Sequence, residues 1–269
     1  MSKKTAYARQ TPFSVSQNFL TSTRTIDRLL ALTTITKDDA VWEIGTGKGH
    51  ITRRLLWRCG HLTSVEIDPK FAENLKAQFD GTSTLRLVHG DFLQTPLPTR
   101  TPYKVFANIP FCKTTEIVRK LTTARNPPQD CWLIMEKGAA KRFAGKPCEN
   151  VHSLSIKPFF DVRIAYYLRR EDFHPMPSVD TVLVHFARKA VPDIAPYQRR
   201  DMEAFIRAMI PCLQGGHGRG PMSRHEVMAA LRRGGFEKIP PSATLRYVQW
   251  LCLFRWWTRS SPQRTRRNG

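Results

Sequence analysis

The sequence predicts an α/β fold in which a doubly wound, mostly parallel sheet has an antiparallel edge and is followed by a small helical domain. Short apolar runs that are typical of buried strands alternate with helix-like segments over most of the chain. Helical patterns dominate after about residue 190. A glycine-rich turn at residues 45–49 follows the first long apolar strand and opens a helix, as in ligand-binding sheets of this kind.

Apolar spacing and turn residues define the elements of the α/β part in order. A helix begins near Ser22 and continues through Leu30 at helical spacing. Strands are expected at 41–44, 62–67, 85–88, 105–109 and 132–135, with helices at 50–57 and 71–79. A hairpin pair at 165–168 and 181–187, joined by a proline-rich connection, supplies the antiparallel edge.

The C-terminal part reads as helices interrupted by a breaker cluster at 215–221. Ser223, with Glu226 three residues later, fits a capping box that opens a helix through Leu231. A last helix is expected at 244–254. We divide the chain into a basic N-terminal arm (1–15), a main α/β domain (16–189), a helical domain (190–258) and a basic tail (259–269).

The charge of the chain points to a polyanionic partner. Lys and Arg number 43 against 22 Asp and Glu, which gives a net charge of +21. The apolar run at 250–254 is too short to span a bilayer, and the N-terminus lacks the apolar region of a secretory signal. Six scattered cysteines without a Cys-x-x-Cys pair argue against a zinc site and a disulfide framework. We therefore expect a cytoplasmic protein that uses neither membrane nor metal.

The tetrapeptide Asn108-Ile109-Pro110-Phe111 follows a strand and suits a flat, poorly basic amine such as adenine N6. The lone pair of that amine is delocalised into the ring, so a methylating site must accept its N–H bonds and hold the ring. The side-chain oxygen of Asn108 and the carbonyl of Ile109 are candidate acceptors. Pro110 favours a fixed turn, and Phe111 is placed to stack on the base.

Three further segments are candidate contacts for a nucleoside cofactor. The spacing of the glycine turn is G-x-G-x-G, which matches neither a dinucleotide fingerprint nor a phosphate loop, and a purely structural turn is the alternative. Glu66 ends the second strand about 20 residues beyond that turn, where a carboxylate accepts from ribose hydroxyls. Asp68 is instead expected to cap the next helix. Asp91 is a candidate acceptor for the exocyclic amine of a cofactor adenine, with Phe92 beside the ring, and an ordinary Asx turn is its alternative.

Taken together, these motifs resemble those of the rRNA adenine N6-methyltransferases and, among them, the erythromycin-resistance (Erm) family. They lie at 17–20, 43–49, 66, 90–91, 108–111, 135–143 and 173–180. The resemblance covers residues from about 13 to 256. It implies a Rossmann-like methyltransferase fold, S-adenosylmethionine as methyl donor and an adenine in the peptidyl-transferase loop of 23S rRNA as acceptor. It also implies resistance to macrolide, lincosamide and streptogramin B drugs.

The resemblance assigns roles to particular residues of this chain. The residues implied to surround the cofactor are Asn18, Leu20, Gly45, Gly47, Glu66, Ile67, Asp91, Phe92 and Asn108. The catalytic residues are Asn108, Ile109, Pro110 and Phe111. Family members usually have Tyr where this chain has Phe111, so we assign a stacking ring and no role for a hydroxyl. Candidate RNA-binding residues are Lys3, Lys4 and Arg9 in the arm, and Lys137, Lys141, Arg142 and Lys146 after the fifth strand, where a solvated helix face is the alternative. The helical domain (190–258) is also expected to bind RNA.

Three alternatives share parts of this pattern. KsgA-type small-subunit rRNA dimethyltransferases typically read Asn-Leu-Pro-Tyr at the catalytic position and Gln-x-Glu-Val-Ala where this chain has residues 135–140. DNA adenine methyltransferases usually show Asp-Pro-Pro-Tyr, against which Asn108 argues. A non-catalytic nucleic-acid-binding factor on the same fold would have decayed cofactor motifs, whereas these are intact. The pattern favours an Erm-like monomer that needs no metal, covalent intermediate or dedicated general base, and it leaves mono- and dimethylation open.

Overall fold

The computed structural model describes residues 18–213, 220–236 and 244–260. The predicted arm (1–15), with its candidates Lys3, Lys4 and Arg9, lies outside the described residues, as does most of the basic tail. The breaker cluster at 215–221 is described only at its end.

The described strands and helices alternate through the first two thirds of the chain, and helices follow. The strands are β1 (Phe19–Leu20), β2 (Ala40–Ile44), β3 (His61–Glu66), β4 (Leu85–His89), β5 (Lys104–Asn108), β6 (Asp130–Glu136), β7 (Phe160–Tyr167), β8 (Phe173–His174) and β9 (Thr181–Arg188). The helices are α1 (Thr23–Ala31), α2 (His50–Arg58), α3 (Pro69–Gln78), α4 (Thr114–Thr122), α5 (Lys137–Ala144), α6 (Val151–Ile156), α7 (Arg199–Leu213), α8 (Arg224–Arg233) and α9 (Tyr247–Ser260).

A seven-stranded sheet of order β4-β3-β2-β5-β6-β9-β7 forms the centre of the fold. Strands β2 to β6 pair in parallel, and β9 pairs antiparallel with both β6 and β7. The predicted mostly parallel sheet with an antiparallel edge is thereby confirmed. The chain order reverses between β2 and β5, so a crevice opens beyond the carboxyl ends of these two strands, where such sheets bind ligands.

The predicted caps at Asp68 and at Ser223 with Glu226 are confirmed, and Ser22, near which the first helix was expected to begin, is also a cap. Ser22 caps α1 by accepting from the backbone N–H of Thr25, and Asp68 caps α3 by accepting from that of Lys70. Ser223 and Glu226 form the predicted capping box of α8. Each cap satisfies an N–H group that has no partner inside its helix, and so fixes where the helix begins.

Several elements differ from the prediction. Strand β7 begins at Phe160 rather than 165. The sequence did not reveal its first half because this edge strand is half exposed and an irregularity between Ile164 and Tyr166 breaks its apolar alternation. Helices α4 and α6 and the two-residue strands β1 and β8 were not predicted, and a helix at α5 was considered only as the alternative reading of the basic residues after the fifth strand.

The last helix also ends later than predicted, at Ser260, so that Arg259 belongs to α9 and not to the tail. The extension has a packing reason. Trp257 lies against Phe205 and Phe254, with ring centroids 5.2 and 6.0 Å apart, and this contact holds the final turns of the helix against α7.

Two apolar clusters cover the two faces of the sheet. Along β5, Val105 and Ala107 belong to the larger cluster while Phe106 belongs to the smaller one, as the alternation of strand side chains requires. Helices α1 and α2 cover the smaller cluster. The larger one extends without interruption from the sheet into α7, α8 and α9 and includes Phe205 and Phe254.

Arg199, the first residue of α7, joins that helix to two others. Its guanidinium lies 3.8 Å from the ring centroid of Phe159 and donates to the carbonyl oxygens of Thr122 and Ser155, at the end of α4 and in α6. None of the helices in the described ranges is both long and apolar enough to cross a bilayer.

Candidate active site

A pocket opens at the carboxyl edge of β2, β3 and β5, and it brings most of the predicted site residues together. It is lined by Asn18, Phe19, Gly45, Gly47, Glu66, Ile67, Asn108, Ile109, Pro110 and Phe111. Its empty space, with the open mouth included, is about 630 Å³. Every one of these residues except Phe19 was predicted from the sequence.

The glycine turn forms one wall of the pocket. Gly45, Gly47 and Gly49 have φ angles of 72°, 51° and 77°, in the left-handed region that side chains disfavour. A Cβ atom at Gly47 would lie 2.4 Å from the ring of Phe19. Glycine at this position is therefore required by the backbone angle and by the neighbouring ring.

Glu66 is held by three hydrogen bonds from neighbouring residues. One carboxylate oxygen, Oε2, accepts from the Thr46 hydroxyl (3.0 Å) and the Gly47 N–H (2.8 Å), and Oε1 accepts from the Asp68 N–H (2.9 Å). The residue is only 2% exposed. A carboxylate offers about four acceptor positions. Oε1 thus keeps capacity for one further donor in the pocket.

The Asn108 amide has one partner and one unsatisfied end. Its Nδ2 donates to the backbone oxygen of Asn18 at 2.8 Å. Its Oδ1 is buried and has no hydrogen-bond partner within the described part of the chain. Because a carbonyl oxygen can only accept, the NH₂ group must face Asn18, and the oxygen is left without a partner. Leaving a buried acceptor unpaired costs about 1–3 kcal/mol, so this end of the amide is suited to a donor from a ligand.

The residues after Asn108 hold a ring at the mouth of the pocket. Ile109 donates its N–H to the oxygen of Ile134 on β6, which continues the pairing of β5 beyond its end. Pro110 has φ −63°, and its oxygen accepts from Lys113 N–H. The backbone oxygen of Phe111 accepts from the Thr114 hydroxyl at 2.9 Å. The backbone is thus fixed on both sides of a phenyl ring that remains partly exposed.

Phe19 is the lining residue that sequence reasoning missed. It lies on β1, its ring packs edge-on against Phe71 with centroids 5.5 Å apart, and Lys48 Nζ lies 5.4 Å from its centroid. The available signal was its place between Asn18 and Leu20, both of which were implicated. Its position in the pocket wall depends on the pairing of β1 with β8, which the sequence does not predict.

Glu43 lies buried behind the glycine turn. Its Oε2 accepts from the hydroxyls of Thr52 and Ser64, each at 2.8 Å, while Oε1 is buried without a partner among the residues described. Burial raises the pKa of Glu43 to about 7, and the negative charge of Glu66 adds to the rise. Glu43 thus joins β2 to the first turn of α2 and to β3, directly behind the pocket wall.

Three residues implicated in cofactor binding do not line this pocket. Leu20 is 2% exposed and belongs to the smaller apolar cluster. Asp91 accepts from the Leu93 N–H at 2.8 Å, which is the Asx turn considered as its alternative. Phe92 is 5% exposed in the larger cluster, with Lys120 Nζ 4.9 Å from its centroid. Their contacts with a cofactor stay predictions.

The candidate RNA-binding residues lie on α5 and the turn after it. Strand β6 is the parallel neighbour of β5, with Asn108 opposite Ile134, so α5 begins at the edge of the sheet where the pocket opens. Lys137 pairs with Asp180 at 3.2 Å. The other three, Lys141, Arg142 and Lys146, are exposed.

Arg142 and Lys146 also line an open groove between α5 and α6, together with Arg207 of α7. Within the described ranges, no three or more His, Cys, Asp or Glu side chains are grouped in a way that would hold a metal ion.

Comparison with known proteins decides the family. The model of the ribosomal RNA adenine dimethylase family matches residues 8–213. The chain belongs to this family. An rRNA adenine N-6-methyltransferase of Lysinibacillus sphaericus is 33% identical over 191 residues, which is 71% of this chain and 77% of the relative. The ribosomal RNA small subunit methyltransferase A of a Dehalococcoides mccartyi strain is 27% identical over 254 residues, 89% of this chain and 86% of that protein.

The fold comparison agrees with the sequence comparison. The crystal structure of the 23S rRNA methyltransferase ErmE superimposes with a TM-score of 0.76 at 27% identity, covering 89% of this chain and 99% of that one. As a member of the ribosomal RNA adenine dimethylase family, the protein is an rRNA adenine N6-methyltransferase with S-adenosylmethionine as methyl donor. The predicted resemblance is thereby confirmed, and the likeness to ErmE supports its Erm branch.

The pocket suits that donor. Gly47 lets the backbone approach a ligand. Glu66 Oε1 can accept one further hydrogen bond, and the buried Asn108 Oδ1 can accept one as well. When bound, S-adenosylmethionine supplies a methyl group already activated by the sulfonium charge. The residues around it therefore need only to position the two reactants, exclude water from them and accept their hydrogen bonds.

Proposed function

We propose that this protein methylates N6 of one adenine in the peptidyl-transferase loop of 23S rRNA and thereby confers resistance to macrolide, lincosamide and streptogramin B drugs. The observation that carries the proposal is the likeness to ErmE over nearly the whole of both chains. Ile109 in the catalytic tetrapeptide supports the same branch, since the small-subunit enzymes usually have leucine there. Location in the cytoplasm and action as a monomer belong to this proposal.

The acceptor side of the pocket, residues 108–111, supplies the chemistry at the base. Asn108 Oδ1 and the carbonyl of Ile109 accept the two N6 hydrogens, which draws the nitrogen towards a tetrahedral geometry. The unpaired state of the buried Oδ1 supports this role, because binding of the amine removes its unsatisfied state. Phe111 stacks on the flipped adenine. The methylated nitrogen is strongly acidic, so its proton leaves to solvent without a dedicated base.

The donor side of the pocket, formed by Gly45, Gly47, Glu66 and Ile67, holds the cofactor. Glu66 accepts from the ribose through its remaining capacity on Oε1. The cofactor shell of this proposal also includes Asn18, Leu20, Asp91 and Phe92, and the Phe19 ring closes one wall.

RNA is proposed to cross the face that α5 presents beside the pocket. Arg142 and Lys146 share a groove with Arg207, whose charge lies on α7 of the predicted RNA-binding helical domain (190–258). Lys141 is exposed on the same helix. Lys137 is paired with Asp180, so its contribution to phosphate binding is reduced. Lys3, Lys4 and Arg9 add charge from outside the described region.

The deciding experiment compares the two large rRNAs. The protein is incubated with labelled S-adenosylmethionine and with protein-free 23S or 16S rRNA, and primer extension maps the modified base. We expect label in 23S rRNA only and a stop at a single adenine of the peptidyl-transferase loop. The Asn108→Ala variant serves as the control, and expression in a susceptible host should raise the inhibitory concentration of erythromycin.

A small-subunit dimethyltransferase of the KsgA type is the second candidate. It is favoured by the match to the small subunit methyltransferase A, which extends over 89% of this chain. Label in 16S rRNA alone would establish it and overturn the 23S assignment.

A further inference from the structure

The Asn108 side chain touches a part of the chain that is far from it in sequence. Its Nδ2 donates to the backbone oxygen of Asn18, immediately before the two-stranded ribbon of β1 and β8. We propose that this ribbon sets the direction of the Asn108 amide, and that Asp172 is the positioning residue that holds the ribbon in place. The inference rests on the catalytic role proposed for Asn108.

An amide needs such a device because its two ends have nearly the same shape. Packing alone barely distinguishes the oxygen from the NH₂ group, and only hydrogen bonds decide which end faces the ligand. An inverted Asn108 would present N–H bonds to the N–H bonds of the adenine amine. The carbonyl of Asn18 prevents this inversion, since it accepts from NH₂ but would face the amide oxygen with another oxygen.

The ribbon is too short to hold itself. Phe19 pairs with His174 and Leu20 with Phe173, and no further residues of these strands pair. Isolated pairs of strands are at best marginally stable in water, and this one has only two residues on each side. Its position must therefore depend on contacts beyond the ribbon.

Asp172 provides these contacts with both its backbone and its side chain. Its carbonyl accepts from the N–H groups of Thr21 and Ser22, at 3.0 and 3.3 Å. Its carboxylate accepts from the Thr25 hydroxyl at 2.6 Å and from the Arg169 N–H at 3.2 Å. Thr25 is 7% exposed in the first turn of α1. Asp172 thus ties the segment after Asn18 to both α1 and the chain that leads into β8.

The test removes the side-chain part of this anchor. Thr25→Val deletes the hydroxyl donor and keeps the branched shape, Thr25→Ser restores the donor, and Asp172→Ala removes the acceptor. Glu171→Ala is the matched control, because it removes an exposed carboxylate from the residue immediately before Asp172. At saturating S-adenosylmethionine, we expect Thr25→Val and Asp172→Ala to lower the single-turnover rate about 10- to 100-fold. Thr25→Ser and Glu171→Ala should stay near the wild type.

A second readout follows the amide itself. In ¹H–¹⁵N spectra, the Asn108 side-chain signal is identified by its loss in Asn108→Ala. It should show one protected hydrogen in the wild type and in Thr25→Ser, and faster exchange with a shifted position in Thr25→Val. Slower turnover in Thr25→Val with an unchanged Asn108 signal would overturn the inference, and so would a changed signal with unchanged turnover.

Failure of the inference is distinguishable from failure of the proposed function. If Asn108→Ala turned over normally, or if the wild type labelled only 16S rRNA, the proposed function would be wrong. A wild type that labels 23S rRNA, an inactive Asn108→Ala and an unaffected Thr25→Val would leave that function standing and reject the role of the ribbon.

Discussion

The two sides of the pocket are built to different degrees of completion. On the donor side, the Glu66 carboxylate already accepts three hydrogen bonds from the protein, two of them from the glycine turn and one from the N–H of Asp68. On the acceptor side, Asn108 Oδ1 has no partner in the described part of the protein, and the ring of Phe111 is partly exposed.

Under the proposed function, the chain itself organises the cofactor half of the pocket, and the incoming base completes the other half. Hydrogen bonds that exist before binding need not be formed at the moment of reaction, and this is the physical meaning of a preorganised site. Changes on the acceptor side should therefore act mainly on the chemical step, and changes on the donor side mainly on affinity and stability.

The largest expected effect is that of Asn108→Ala on the acceptor side. We expect methyl transfer to fall about 100- to 1,000-fold, as when a single preorganised hydrogen-bonding group is lost from a catalytic site. Affinity for S-adenosylmethionine and for RNA should change much less. Single-turnover rates, titration calorimetry and gel shifts measure the three quantities. A variant with near-normal turnover would refute the role assigned to this residue.

The next effect concerns the buried acid of the donor side. The unfolded chain ionises Glu43 near its ordinary pKa of 4.5, whereas the folded protein keeps the proton until about pH 7. The stability contributed by the protonated form is full below about pH 4.5 and is lost as the pH rises through 7, a change of about 3 kcal/mol. Gln cannot ionise, so Glu43→Gln should lack this part of the pH dependence.

Urea unfolding of both proteins between about pH 5 and pH 8 measures that difference. If the free energies of unfolding of the wild type and Glu43→Gln ran parallel over this range, the raised pKa of Glu43 would be wrong.

Gly47→Ala should weaken the binding free energy of S-adenosylmethionine by about 1–3 kcal/mol, because the new Cβ would press on the Phe19 ring. Gly81→Ala is a matched control. Gly81 also has a left-handed φ, of 72°, but a Cβ there meets nothing within 4 Å, so it reports backbone strain alone. Calorimetric affinity for S-adenosylmethionine should fall in the first variant and not in the second. Equal affinities would show that the ring yields freely.

The smallest effect is expected at the ring of the acceptor side. Stacking on a base is worth about 1–3 kcal/mol, and the partial exposure of Phe111 favours the lower end for Phe111→Ala. Phe111→Tyr keeps the π face and should stay close to the wild type. Single-turnover rates on the same rRNA compare the two. Equal losses would contradict simple stacking.

The central sheet could be predicted because its strands are apolar runs bounded by turns, as at 41–44 and 105–109. The ribbon of β1 and β8 could not, since two residues on each side carry no periodicity and their partners lie about 150 positions apart. Helix α4 was missed for another reason. Its sequence holds several β-branched residues, which have low helix propensity, and burial of Ile117, Val118 and Leu121 in the larger cluster stabilises the helix.

The site divides in the same way. Asn108 and Glu66 were found because each ends a strand at the edge where parallel strands meet. The sequence could not predict which groups these side chains contact. The hydrogen bond from Asn108 to Asn18 and the position of Phe19 over Gly47 both depend on the ribbon. Asp91 shows the reverse case, since its local turn was foreseen as an alternative and is present.

The unbroken apolar cluster that reaches from the sheet into the C-terminal helices bears on how these helices can be exchanged between relatives. Phe205 and Phe254 share their cluster with sheet residues, and Arg199 joins α7 to α4 and α6. A chimera that receives everything beyond residue 190 from another family member would place foreign side chains against this chain's own sheet face. Recombination at that point must therefore transplant the matching layer of α4 and α6 as well, so the C-terminal helices and the sheet they cover are inherited together.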